Sequence, residues 1–130
     1  MISPVLLMNR LALGRAMPDS RSDELDAMRQ AADSPGDRAS LRELRESGRQ
    51  SARERIDALL DPDSFVEVDA FVQHRAGEHN MHLHRPLGDG VVAGHGMLDG
   101  RRVVCFAQDY SVFAGTMGEM HAKKITKVAE

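Results

Sequence analysis

Asp99-Gly100 stands between two apolar runs, Val91-Val92-Ala93-Gly94-His95-Gly96-Met97-Leu98 before it and Arg101 to Gln108 after it. A type I′ turn requires positive φ at both central residues, and Asp-Gly meets that requirement at low cost, so the passage predicts a β-hairpin. Within the second run, Val103-Val104-Cys105-Phe106-Ala107 is apolar at every position. That pattern predicts a central strand covered on both faces. Gly115-Thr116-Met117-Gly118-Glu119 follows, with Thr116 placed as N-cap and Glu119 three residues on. The helix it opens is expected to turn Met117, Met120, Ile125 and Val128 inward, and Lys123, Lys124 and Lys127 outward or toward its C-terminal end. A helix after a buried strand normally crosses over to a parallel strand, and none follows in these 130 residues. The fold class expected is therefore α/β and incomplete, with helices first, then a hairpin and a crossover helix.

Upstream, Ser20-Arg21-Ser22-Asp23 opens a short helix carrying Leu25, Met28 and Ala32, and Ser34-Pro35-Gly36-Asp37 stops it. Residues 1–36 read as a loosely attached arm, and residues 37–130 as the domain proper. Capping boxes at Ser40-Leu41-Arg42-Glu43 and Ser51-Ala52-Arg53-Glu54 predict two helices with a break at Gly48. The second presents Ile56, Leu59 and Leu60 as its apolar stripe and closes at Asp61-Pro62. Across both helices Arg38, Arg42, Arg45, Arg49, Arg53 and Arg55 are interleaved with Glu43, Glu46, Glu54 and Asp57 and read as a solvated, ion-paired face. From Ser64 the period becomes two, with Val66, Val68, Ala70 and Val72 on one side of a half-buried strand and Phe65, Glu67, Asp69 and Phe71 on the other. Residues 73–89 read as a polar loop.

Charge and composition narrow the classes of function. Seventeen Lys and Arg against twenty Asp and Glu give a formal charge of −3, which offers no general attraction to nucleic acid. With 4% aromatics and no Trp, the core must be aliphatic. One cysteine cannot form an intrachain disulfide, so Cys105 reads as a small buried hydrophobe in a reducing compartment. The apolar start, Met1 to Met8, is interrupted at Asn9 and Arg10, which argues against a signal peptide or membrane span. A cytoplasmic location is expected.

Three constellations bear on chemistry. His74, His79, His82 and His84 crowd one loop, and His82 and His84 face one side of an extended segment, a possible zinc or copper site without a completing Cys or carboxylate pair. The alternative is a solvated loop. Ser111 with His121 and Asp109 is a nucleophile–base–carboxylate set by free combination only. Phe113 to Gly118, ahead of a helix, suits a phosphate, carboxylate or enolate oxygen. Close strand-to-helix packing explains its glycines as well.

Taken together, several of these segments resemble the carboxyltransferase β subunits of biotin-dependent acyl-CoA carboxylases, with acetyl- and propionyl-CoA carboxylases nearest. The segments are Ser51 to Asp61, Ser64-Phe65-Val66-Glu67, Gly88 to Gly96, Asp99-Gly100-Arg101, Gln108-Asp109, Val112 to Glu119 and Lys124-Ile125. Ala114 departs from the glycine usual there, leaving that turn less free to approach a ligand. The resemblance implies a partial crotonase-like spiral domain, of which the hairpin and crossover helix form the first turn. It also implies transfer of CO2 from carboxybiotin to the α-carbon of acetyl- or propionyl-CoA, with backbone N–H oxyanion holes stabilising the thioester enolate and the biotin ureido anion. Those glycine-rich segments lie downstream in the family, so no catalytic residue carries over and this chain alone is expected to be inactive. Gly115, Thr116, Gly118 and Lys124 carry over as residues bordering the acyl-CoA pocket, with capping and packing as their alternative role. The implied partners are further carboxyltransferase subunits in a homo-oligomer, a biotin carboxylase and biotin carrier subunit, and acyl-CoA. No covalently bound cofactor or metal is implied. The alternative functions are a non-catalytic remnant that associates with full-length subunits and a small metal-binding module. With its last layer uncovered, the chain is expected to be poorly stable or to self-associate.

Overall fold

The computed structural model describes residues 21–130. Helices α1 (Arg21–Asp33), α2 (Arg38–Glu46) and α3 (Ala52–Leu59) precede strands β1 (Val66–Glu67), β2 (Val91–Leu98) and β3 (Arg101–Gln108), and α4 (Glu119–Ala129) closes the described chain. Residues 1–20 of the expected arm, with the apolar start, lie outside the described residues. No described helix is long and apolar enough to cross a membrane.

The hairpin forms as expected. Asp99 (φ 51°) and Gly100 (φ 74°) both occupy the left-handed region, and β2 and β3 pair antiparallel from Val91 with Gln108 to Leu98 with Arg101. Asp61, expected only to stop a helix, grips the turn. Its two carboxylate oxygens each accept a backbone N–H, from Asp99 and from Gly100, at 3.0 Å.

The sheet order is β1-β2-β3, all antiparallel. This corrects the placement of β3, which among the described residues lies at the edge of the sheet rather than at its centre. Its Val103, Cys105 and Ala107 face α3 and join Ala52, Ile56, Leu60 and Val92 in the core, with Phe65 and Leu98 beside them. Val104 and Phe106 point the other way and remain 54% and 49% exposed. The other face of β2 carries Val91 and Ala93, which α4 buries.

The strand expected over 64–72 shrinks to Val66–Glu67, because Asp69 turns left-handed (φ 57°) and breaks the extended run. Its partners on β2 are His95 and Gly94. Phe65, not Val66, packs on the core, and Val66 is 52% exposed. The two helices with a break at Gly48 are present, but the cap of the first moves upstream. Asp37 accepts from the N–H groups of Ala39 and Ser40 at 2.9 Å, and the Ser40 hydroxyl donates to Asp37. A carboxylate outcompetes a hydroxyl for free helix N–H groups. The Ser51–Glu54 capping box is fully formed. Leu59 leaves the expected stripe and lies 52% exposed, since an eight-residue helix has room on its buried side only for Ala52, Ile56 and the capping Leu60.

Candidate functional site

The β3–α4 connection, residues 109–118, is built on two buried anchors. Asp109 Oδ1 accepts from the backbone N–H of Ser111 at 3.0 Å and from its hydroxyl at 2.6 Å. The Ser111 proton is thereby committed to Asp109, while His121 is held elsewhere, so the Ser111–His121–Asp109 set does not exist as a relay. Downstream, Phe113 (φ 47°) and Ala114 (φ 52°) both adopt left-handed backbone. Such a conformation costs an L-residue about 1–2 kcal/mol. The family's glycine would carry no such strain, though it is more disordered when unfolded. Ala114→Gly should therefore raise thermal stability slightly, by about 0.5 kcal/mol, as read by calorimetry.

The helix that follows is not capped by Thr116, whose hydroxyl donates to the Phe113 carbonyl at 2.9 Å. Gly118 takes the cap position and has no side chain to offer. Asp89, brought in from the β2 approach, supplies the missing acceptor: its Oδ2 takes the N–H of His121 at 3.0 Å. The same residue's carbonyl accepts from His121 Nδ1 at 3.0 Å, and His121 Nε2 lies 3.3 Å from the Gln108 amide. One turn on, Lys124 Nζ donates to the carbonyls of Gly88 at 2.9 Å and Val91 at 2.5 Å. Asp89, His121 and Lys124 are all buried.

Burial pushes the His121 pKa down, against the opposing pull of the Asp89 carbonyl and carboxylate. Between that lowered value and the ordinary one near 6.5 the unfolded chain binds more protons than the folded one, so stability rises with pH in that window. Acidification below about pH 6.5 should lower the midpoint of urea unfolding, and His121→Gln should flatten this dependence. Burial likewise pushes Lys124 down, opposed by the carboxylates of Glu67, Asp69 and Asp89.

These contacts divide the four predicted site residues. Gly115, Thr116 and Gly118 lie on the turn at the surface of two hollows. Lys124, expected to point outward, is turned into the protein and reaches neither. One hollow, about 980 Å³, runs between α3 and β3 and is lined by Arg49, Arg55, Tyr110, Ala114 and Gly115. The other, about 390 Å³, sits at the start of α4 and is lined by His74, Arg75, Phe113, Thr116, Met117 and Gly118. Met117, expected to face inward, is 58% exposed there.

The arginines are not a uniform solvated face. Arg42 pairs loosely with Glu46, but Arg53 is largely enclosed and bridges Glu67 at 2.7 Å and Asp33 at 3.5 Å. Arg55 donates to the Gln108 carbonyl at 2.6 Å, and Arg49 lies over the Tyr110 ring at 5.5 Å. Sequence reading missed Arg49, Arg55 and Tyr110 as a group, since only the fold brings α3 beside the end of β3. The histidine loop does not assemble a metal centre: His74 is buried, with Nε2 2.6 Å from the His84 carbonyl, while His79, His82 and His84 are exposed. Among the described residues no group of His, Cys, Asp or Glu is arranged to hold a metal ion. Burial raises the Cys105 thiol pKa, which leaves it a packing residue, as expected.

The carboxyl transferase domain family matches residues 43–130, which include both hollows and the whole sheet. The chain belongs to that family. It is 48% identical over 107 residues to the biotin-dependent acetyl-/propionyl-coenzyme A carboxylase β5 subunit of Mycobacterium tuberculosis (strain ATCC 25618 / H37Rv), covering 82% of this chain and 20% of that subunit. It is 53% identical over 83 residues to the propionyl-CoA carboxylase β chain of Saccharopolyspora erythraea, covering 64% of this chain and 15% of the relative. The carboxyl transferase chain thus spans about a fifth of the length of the curated relatives it matches. Among solved structures, transcarboxylase 12S with methylmalonyl-coenzyme A and methylmalonic acid bound superposes with a TM-score of 0.80 at 35% identity, over 87% of this chain and 22% of that one. The β subunit of geranyl-CoA carboxylase from P. aeruginosa superposes at 0.54 and 27%, over 83% of this chain and 18% of that one. The fold class expected from sequence stands: an α/β chain forming part of a crotonase-like domain.

Proposed function

We propose that this chain forms part of the N-terminal domain of an acyl-CoA carboxylase carboxyltransferase subunit, contributing a wall of the acyl-CoA site. The reaction is transfer of CO2 from carboxybiotin to the α-carbon of acetyl- or propionyl-CoA. Gly115, Thr116 and Gly118 shape the wall at the β3–α4 turn, and Lys124 fixes that wall from behind by holding the 88–91 backbone. Residues 37–130 are the domain portion and residues 1–36 an arm. The observation that carries the reading is the β3–α4 turn, pinned by Asp89 and His121 within the 43–130 family match and opening on hollows to either side. In the larger hollow, Arg49, Arg55 and Tyr110 offer two cations and a stacking surface, which suit the phosphoadenosine end of a CoA. By the resemblance, the oxyanion-hole glycines belong to other sections of such subunits, and the residues of this chain contribute to binding. Its partners are further carboxyltransferase subunits and a biotin carboxylase with its carrier, in the cytoplasm.

A second reading, a non-catalytic fragment that associates with full-length subunits, rests on β3, whose outer edge and exposed Val104 and Phe106 are uncovered by the described chain. A chimaera separates the two. Residues 43–130 replace the matching section of the Saccharopolyspora erythraea β chain, which is then assembled with its partner and assayed for ATP- and bicarbonate-dependent carboxylation of propionyl-CoA. Retention within about tenfold supports the catalytic reading. A correctly assembled but inactive chimaera sinks it and favours the remnant.

A further inference from the structure

Strand β3 leaves one side of its backbone open. The two-residue Asp99-Gly100 turn makes Leu98 and Arg101 the first hydrogen-bonded pair of the hairpin, so Arg101, Val103, Cys105 and Ala107 turn their N–H and C=O groups toward β2. The bond from Asp109 N–H to the Gly90 carbonyl, at 2.8 Å, continues that alternation past the end of the strand. Arg102, Val104, Phe106 and Gln108 therefore point theirs away from β2. The Gln108 carbonyl takes the Arg55 guanidinium there. No strand among the described residues pairs with this edge. The hollow of about 980 Å³ runs along it, lined by Cys105, Phe106, Ala107 and Gln108, so α3 leaves the strand open to approach. Val104 and Phe106 are each about half exposed beside it. Such an edge is a template for a further strand.

The order of residues along β3 defines which strand fits. Laid antiparallel against a second β3 with Cys105 on the two-fold axis, every outward-pointing residue meets another: Arg102 meets Gln108, and Val104 meets Phe106. Val104 and Phe106 then oppose each other on one face, apolar on apolar. Antiparallel order also holds Arg101 and Arg102 of the two copies at opposite ends, where a parallel pair would set like charges side by side. Sliding the strands by two residues leaves Gln108 unpaired and Phe106 against Arg102, or Arg102 unpaired and Val104 against Gln108. Sliding by one sets outward groups against inward ones.

We propose that two copies of this chain pair along β3 in that register, joining their three-stranded sheets into one about a two-fold axis at Cys105. The pairing is a property of the chain by itself and rests on neither functional reading above. A two-fold contact of this kind closes on itself, so the product is a dimer and nothing larger. At its centre the two cysteines form a non-hydrogen-bonded pair with Cα atoms about 4.5 Å apart, a separation that a disulfide spans.

Sedimentation equilibrium of the 130-residue chain under reducing conditions reads the association. Oxidation by copper phenanthroline with dissolved oxygen, which removes the two thiol hydrogens, reads the register. A reversible dimer that crosslinks through Cys105 is expected, and Cys105→Ser should dimerise without crosslinking. Val104→Lys places a charge on the open edge and should raise the dissociation constant by about tenfold or more. Val104→Pro removes an N–H that no strand in the described chain uses, and should weaken the dimer in the same way while the hairpin keeps its circular dichroism. Should both variants fail to fold, crosslinking of the native chain decides. A chain that stays monomeric at every concentration, assembles beyond a dimer, or dimerises without a Cys105 crosslink overturns the proposal. So does a folded Val104→Lys or Val104→Pro chain that dimerises or crosslinks as well as the native one.

Discussion

Gly94→Val should abolish the native sheet. A Cβ at residue 94 would lie 2.1 Å from the Val66 carbonyl oxygen, in the strand that pairs with it, and 2.8 Å from the ring of Phe65 just ahead of that strand. A backbone oxygen in a paired strand cannot swing aside as a flexible side chain does, so β1 must detach or β2 must slip. Overpacking ordinarily costs about 1–3 kcal/mol, and this clash with main chain lies at or above the upper end. Against a typical stability of about 5–15 kcal/mol the loss is decisive for so small a core. Far-UV circular dichroism and urea titration should show it, and Gly94→Ala should go the same way in milder form, because the offending atom is the Cβ itself. Gly77→Ala is the control. Nothing lies within 4 Å of its added carbon, and its unfolding midpoint should hardly move.

The second large effect concerns Lys124. Lys124→Leu should cost about 3 kcal/mol, because the carbonyls of Gly88 and Val91 lose their buried donor and each unpaired group costs about 1–3 kcal/mol. The Asp89 carboxylate also loses a neighbouring cation. Loss of the buried charge itself returns some stability, which keeps the net below the sum. Urea unfolding of the purified chain measures it. An amine that merely bordered a ligand site would be dispensable, and its removal would change stability by less than about 0.5 kcal/mol. The two roles proposed for this residue by sequence therefore give different numbers.

The hairpin and the Ser51 cap were legible because their signals are local: an Asp-Gly pair needs no partner to declare a turn, and Ser and Glu three apart satisfy one another. The order of the helices was legible for the same reason, whereas the Thr116–Glu119 box ahead of α4 does not form, because the Thr116 hydroxyl turns back to the Phe113 carbonyl. The strand at 64–72 was misjudged because alternation alone cannot foresee the left-handed turn at Asp69. For β3, an apolar run on both faces predicts a buried strand, whereas cover depends on what packs there, and α4 reaches Val91 and Ala93 but leaves Val104 and Phe106 open. The site suffered most where contacts span long sequence distances. Asp89 caps a helix 32 residues away, and Lys124 reaches back 36 and 33 residues to its carbonyls. A periodic pattern puts lysine on the wet side of a helix by default, and only the fold reveals two carbonyls waiting on the dry side.

If the β3–α4 turn forms part of an acyl-CoA site, as proposed, ligand should protect its backbone. Amide hydrogen exchange of the full chain, with and without propionyl-CoA, tests it at the residues concerned. Exchange at Gly115, Thr116 and Gly118 is expected to slow when propionyl-CoA is present, with the hairpin tip at Asp99 and Gly100 unchanged. Unaltered exchange across residues 113–118 at saturating propionyl-CoA, or protection confined to the hairpin tip, would contradict it.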